Sequence, residues 1–187
     1  MTEKVRIRKL IKSKLNDLGG TLRNEYSDEI KLNLISLPEY INSKTLFVYI
    51  SFANEVHTKD IIDDAFKNEK RVFVPNIEGN NMSMIEIRRD TTYTANNYGI
   101  IEPVFNKEDI YNGDIDIAII PLIGYDRKFG RLGRGGGYYD KFLQDRKCKK
   151  IAIAYSIQEV DKLPIESHDV KMDIIVTEEG IIRYESN

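Results

Sequence analysis

The chain has 187 residues, 41% of them hydrophobic and 31% charged, with a net charge of -2 at pH 7 and one cysteine, Cys148. That suits one domain with a full core, and it excludes an intrachain disulfide and any global pull toward nucleic acid or an anionic membrane. The charged start "MTEKVRIRKLIKSKL" is no secretory signal and no apolar run nears the roughly 18 residues that span a bilayer, so a cytoplasmic protein is expected.

In chain order, Ile7, Ile11, Leu15 and Leu18 fall on one stripe and predict a helix over 3–18, stopped by Gly19 and Gly20. A second helix is expected over 28–37, ended by Pro38. "TLFVYIS" (45–51) is a continuous apolar run, the mark of a strand covered on both faces. A helix over 58–68 follows, with Thr58 as its cap. "RVFVP" (71–75) reads as a buried strand and "MSMIEI" (82–87) as an edge strand. "IDIAIIP" (115–121) is the most strand-like run, residues 137–146 look helical, and "KIAIAYS" (150–156) and "MDIIVTE" (172–178) supply two further strands. The alternation of strand and helix predicts an α/β fold with a mostly parallel sheet, as one domain over 1–187.

In such sheets ligands bind at the carboxyl ends of the strands. Three segments fall there: "SFANEV", "GYDRKFGRLGRGGGYYD" and "IESHD". The second is the most unusual, with five glycines in the eight residues 130–137. Glycines let backbone amides approach a ligand and form an anion-binding nest. Arg131 and Arg134 add fork-shaped positive charge, and a helix start lies just beyond. A phosphate cradle is the reading this supports, and a flexible surface loop is the alternative. The block ends in Gly-Tyr-Tyr-Asp, so it is neither a P-loop nor a dinucleotide fingerprint.

Other candidates carry less by themselves. Lys4 and Arg8 share a helix face and could clamp a polyphosphate, although Arg6, Lys9 and Lys12 make a solvated basic face the simpler reading. Asp140 and Asp169 are carboxylates of the kind that hold Mg²⁺ beside a nucleotide, or else a cap and a surface charge. Glu55 could accept a substrate's N–H groups or be a plain loop carboxylate. His57 and His168 form no zinc set with Cys148, and all three are read as structural or peripheral.

Together these segments carry a pattern. "KVRIR", "VYISFANEVHT", "RVFVPNIEGNNMSM", "YGIIEP", "PLIGYDRKFGRLGRGGGYYDKFL" and "LPIESHDVKMDIIVTEEG" occur in order over nearly the whole chain. The sequence resembles the 5-formyltetrahydrofolate cyclo-ligase family, also called methenyltetrahydrofolate synthetases. The resemblance implies a three-layer α/β/α sandwich. It also implies an ATP- and Mg²⁺-dependent closure of 5-formyltetrahydrofolate to 5,10-methenyltetrahydrofolate, through phosphorylation of the formyl oxygen. A monomer is expected on separate grounds, since no exposed apolar stripe in the sequence asks for a partner. By the same resemblance Lys4, Val5, Arg6, Ile7 and Arg8 match ATP-binding positions. So do Arg131, Leu132, Gly133, Arg134, Gly135, Gly136, Gly137, Tyr138 and Tyr139. Ile50, Glu55 and the run from Arg134 to Tyr138 match folate positions, Asp140 and Asp169 match Mg²⁺ positions, and Arg134 and Lys4 are expected to be catalytic. Three other readings stay open: a non-catalytic ATP sensor, a phosphosugar isomerase, or an acyl-CoA transferase-like enzyme that needs no ATP. The segment 96–105 fits the resemblance without a mechanistic role.

Overall fold

The computed structural model describes residues 1–96 and 99–183. Its helices are α1 (Glu3–Asp17), α2 (Gly20–Ile35), α3 (Pro38–Asn42), α4 (Lys59–Lys67) and α5 (Tyr138–Leu143). Its strands are β1 (Thr45–Val48), β2 (Arg71–Glu78), β3 (Asn81–Ile87), β4 (Tyr93–Ala95), β5 (Ile101–Pro103) and β6 (Ile110–Tyr111). They continue with β7 (Ile117–Ile120), β8 (Gly124–Tyr125), β9 (Arg131–Leu132), β10 (Lys149–Ile153), β11 (Ile174–Thr177) and β12 (Gly180–Arg183).

Eight of these strands form one sheet in the order β12-β11-β10-β7-β1-β2-β3-β6. The strands from β11 to β2 run parallel, and β12, β3 and β6 are antiparallel additions at the two sides. The continuous apolar runs have a direct cause, because alternate side chains of each strand enter two different cores. In β1, Leu46 and Val48 join Ile7, Ile11, Ile30, Leu34 and Ile61 from α1, α2 and α4. Phe47 points the other way and packs with Phe142 and Leu143 of α5. This is a three-layer α/β/α arrangement with a heavier layer on the α1 side.

Several boundaries differ from the sequence reading for identifiable reasons. The second helix begins at Gly20, not at residue 28. Gly19, at φ 70, makes the turn alone, and the polar stretch after it is helical without an apolar stripe of its own. Pro38 opens α3 as its first residue, where a missing N–H costs nothing. Thr58 stands at the start of α4 but does not cap it. Its hydroxyl instead accepts the Ser51 N–H at 3.0 Å, while Ser51 Oγ accepts the Thr58 N–H at 3.2 Å. The strand at 82–87 is not an edge, since β6 covers its outer side at Met84 and Ile85. With β2 it forms a hairpin that turns at Gly79 and Asn80. Cys148 is half-buried beside the α5-side core.

The crossovers create the functional crevice. β1–α4–β2 passes over one face of the sheet, and β7–α5–β10 passes over the other. The chain diverges between β1 and β7, so a cleft opens at their carboxyl ends.

At the far edge, Arg183 of β12 makes a two-pronged bond to Glu39 of α3, at 2.7 and 2.9 Å. The guanidinium lowers the Glu39 carboxyl from its ordinary 4.5 to about 2. A depressed carboxyl contributes its stability above its unfolded value, so the contribution is complete above pH 4.5 and fades as pH falls toward about 2. Arg183→Ala is therefore expected to flatten the loss of stability across this window. Urea midpoints at pH 7 and pH 3 for both proteins would read it, and equal acid sensitivity in the two would contradict it.

Candidate active site

A cavity of about 620 Å³ lies outside the carboxyl ends of β1, β2 and β7. Its floor is the end of β1, Tyr49 and Ile50, with Pro121 and Leu122 after β7. One wall is the glycine block, a second is the first turns of α1, and a third is the segment from Ile100 to Phe105. The loop at Glu166–Asp169 closes the remaining side.

The glycine block is built for close approach. A Cβ at Gly133 would lie 2.8 Å from Arg131 Nη1, a buried and bonded atom that has nowhere to go. Gly135 has φ +110, which an L side chain rarely adopts, and it lies beneath the Arg8 guanidinium. Arg8 Nε donates to the Gly133 carbonyl at 2.8 Å, so α1 is stitched to the block. The helix after the block, α5, has only six residues, so its dipole adds little and the cradle rests on amides and arginines.

Charge is arranged in three pairs around the cavity. Arg131 is 94% buried by its 6% exposure, and its Nη2 donates to Asp140 Oδ2 at 2.8 Å. The other Asp140 oxygen accepts the Val170 N–H at 3.0 Å. Arg134, whose side chain is 57% exposed, donates through Nη2 to Glu55 Oε1 at 2.7 Å. Glu55 Oε2 also accepts the Phe52 N–H at 2.8 Å. Lys4 Nζ lies 2.9 Å from Asp169 Oδ2 and 3.2 Å from Glu166 Oε2. Burial opposes the Lys4 charge, yet these two carboxylates outweigh it and hold the ammonium above its ordinary value. Burial would likewise raise Asp169, but the Glu166 N–H and the Lys4 ammonium keep its carboxyl below the usual range. Both groups are therefore ionised at neutral pH.

Most of the expected site residues meet here. Lys4, Arg8, Ile50, Glu55, Arg131 to Tyr139, Asp140 and Asp169 all line the cavity. Val5, Arg6 and Ile7 do not: helical geometry turns Ile7 into the core and Val5 and Arg6 to solvent. His168, read as peripheral, lines the cavity and joins Glu166 and Asp169 in a set whose ligand atoms lie within 4.8 Å of one another. Asp140 stands outside that set, with both oxygens bonded as described. His57 lines a separate polar cavity of about 250 Å³ with Ser27 and Asp60. The wall from Ile100 to Phe105 is the main part missed by sequence reasoning. It belongs to the β4–β5 hairpin, whose strands are three residues long and mostly exposed, leaving no apolar alternation to read. Residues 97–98, including Tyr98 of "YGIIEP", lie outside the described residues.

Comparison with known proteins decides the family. Residues 1–178 match the model of the 5-formyltetrahydrofolate cyclo-ligase family. The chain belongs to this family. It is 32% identical to the mitochondrial 5-formyltetrahydrofolate cyclo-ligase of Arabidopsis thaliana, over 94% of this chain and 74% of that protein. It is 31% identical to the enzyme of the same name from Haemophilus influenzae, over 86% of this chain and 90% of the other. The NMR structure of 5,10-methenyltetrahydrofolate synthetase from Aquifex aeolicus superposes with a TM-score of 0.87 at 31% identity, covering 100% of this chain and 95% of that one. This cyclo-ligase family member is thus an enzyme, a ligase, and among its described residues no helix is long and apolar enough to cross a membrane.

Proposed function

We propose that this cyclo-ligase uses ATP and Mg²⁺ to close 5-formyltetrahydrofolate to 5,10-methenyltetrahydrofolate, releasing ADP and phosphate. The observation that carries the reading is one cavity with two chemically different halves. The α1 face and the glycine block present Lys4, Arg8, Arg131 and Arg134, a set suited to a polyphosphate. Glu55, Ile50, Phe52 and the apolar wall at Ile101 and Phe105 suit a ring system that carries N–H donors.

In this reading the γ-phosphoryl group passes to the formyl oxygen. The neighbouring ring-closing nitrogen attacks the formyl carbon, and the oxygen leaves with phosphate. Such transfers ask a protein for alignment and for cancellation of negative charge. Arg134 and Lys4 carry that role at the transferring group. Arg8 and the loop amides hold the phosphate chain. Tyr138 and Tyr139 line the cavity at the end of the glycine block. Glu55 accepts the pterin N–H groups. Mg²⁺ prefers oxygen ligands, and the carboxylates of Asp169 and Glu166 offer them together, while Asp140 accepts from Arg131 and from the Val170 N–H. When bound it supplies neutralisation of phosphate charge. The chain is further proposed to act as a cytoplasmic monomer.

An absorbance assay tests the reaction. Protein, 5-formyltetrahydrofolate and Mg²⁺ should produce the near-ultraviolet band of the methenyl product only when ATP is added. ATP binding without that band would refute the reading. Glu55→Gln is expected to raise the folate KM roughly 10- to 100-fold with little change in the ATP KM, as fits loss of a charged hydrogen-bond acceptor. An unchanged folate KM would remove Glu55 from the folate site.

A further inference from the structure

Three buried hydroxyls, one from α2 and two from the segments just after β1 and β10, reach the backbone of three consecutive residues, Glu55, Val56 and His57. Tyr155, fully buried just beyond β10, donates through its hydroxyl to the Glu55 carbonyl at 3.3 Å. Tyr49, just beyond β1, donates to the Val56 carbonyl at 2.9 Å. Ser27 of α2 accepts the His57 N–H at 3.1 Å. Ser27 Oγ and Tyr155 Oη are also 3.0 Å apart.

The donors order themselves without conflict. The Tyr155 proton goes to the Glu55 carbonyl, so Ser27 must donate to Tyr155. Ser27 in turn receives the His57 N–H. The result is a closed path from residue 57 through two side chains back to residue 55. Phenylalanine would fill the same space at 49 and 155, and a buried hydroxyl is costly unless bonded. Burial also raises both tyrosines, which keeps them as protonated donors at neutral pH. The loop needs such support, since Ala53 sits at φ 53, a left-handed conformation that a residue with a side chain rarely takes.

We propose that Tyr155, Tyr49 and Ser27 are positioning residues that act through the 55–57 backbone to hold the Glu55 carboxylate in place for the folate. This rests on the reading of Glu55 as the pterin acceptor. A held acceptor binds without first losing loop freedom, so loosening it weakens folate binding and leaves ATP binding alone.

The test is a double-mutant cycle read by calorimetric titration with 5-formyltetrahydrofolate. Tyr155→Phe is expected to raise the folate Kd roughly five- to tenfold, the effect of one neutral hydrogen bond, with the ATP KM unchanged. In the Glu55→Gln background the same change should add nothing further. Ser27→Ala, run through the same cycle, serves where Tyr155→Phe fails to fold. A folate Kd unchanged by both variants, or effects that multiply with Glu55→Gln, would overturn the proposal, because a purely structural role does not pass through Glu55. A wild-type Kd in Glu55→Gln alone would instead overturn the reading beneath it, and the proposal with it.

Discussion

Arg134→Ala is expected to cut kcat/KM for the ATP-dependent reaction by about 10²- to 10⁴-fold while leaving the unfolding temperature nearly unchanged. The two halves of this expectation have separate causes. The Arg134 side chain is 57% exposed and its ion pair with Glu55 lies at the surface of the cavity, so the fold loses little packing with it. In the proposed reaction its charge faces the transferring phosphoryl group, where a cation already positioned for the developing negative charge stabilises the transition state. Arg134→Lys should recover only part of the loss, because an ammonium keeps the charge without the fork. The methenyl absorbance assay beside a thermal melt reads both halves. A kcat/KM within threefold of the parent would remove Arg134 from the chemistry.

Asp126→Ala is expected to be the most damaging single change to stability around the site. Asp126 is 1% exposed and none of its role is in the cavity. Its Oδ1 accepts the N–H groups of Lys128 and Gly130, each at 3.0 Å, and its Oδ2 accepts that of Leu163 at 2.9 Å. These bonds hold the turn that contains Phe129 at φ 64, and the Phe129 carbonyl in turn accepts the Met172 N–H at 3.0 Å. One carboxylate therefore ties the entry to the glycine block to the segment that carries Glu166 and Asp169. Its removal orphans three amides, two of them buried, and leaves the left-handed turn at Phe129 without the bonds that hold it, for a cost of roughly 3 to 5 kcal/mol. In a chain of this size that lowers the unfolding temperature by about 10 °C. Asp126→Asn keeps one carbonyl acceptor and should lose about half as much. Scanning calorimetry decides it, and a shift under about 2 °C for Asp126→Ala would contradict this account.

The sequence by itself determined the features whose signal is local. Ile7, Ile11 and Leu15 recur at the spacing of one helix face, and α1 forms there. Short, β-branched apolar runs such as "IAII", alternating with helical patterns, read as strands with both faces covered, so the parallel sheet was readable. Five glycines beside two arginines were readable as an anion cradle, because a nest of amides is made by neighbours along the chain. The family resemblance drew on that block together with five further segments that occur in order over nearly the whole chain.

Tertiary structure alone decided the rest, since it depends on residues the chain does not place near one another. Lys4 meets Asp169 across 165 positions and Arg134 meets Glu55 across 79, and only the order of strands in the sheet brings them together. Of the run from Lys4 to Arg8, the docking of α1 selected the two ends for the cavity and turned Ile7 into the core. His168 became part of the cavity through a loop with no periodic pattern, and the short β4–β5 hairpin became a wall although most of its residues are exposed. A local pattern records which face a residue must bury, while a site is defined by which loops arrive at the same strand ends, and that is set by the crossovers on the two faces of the sheet.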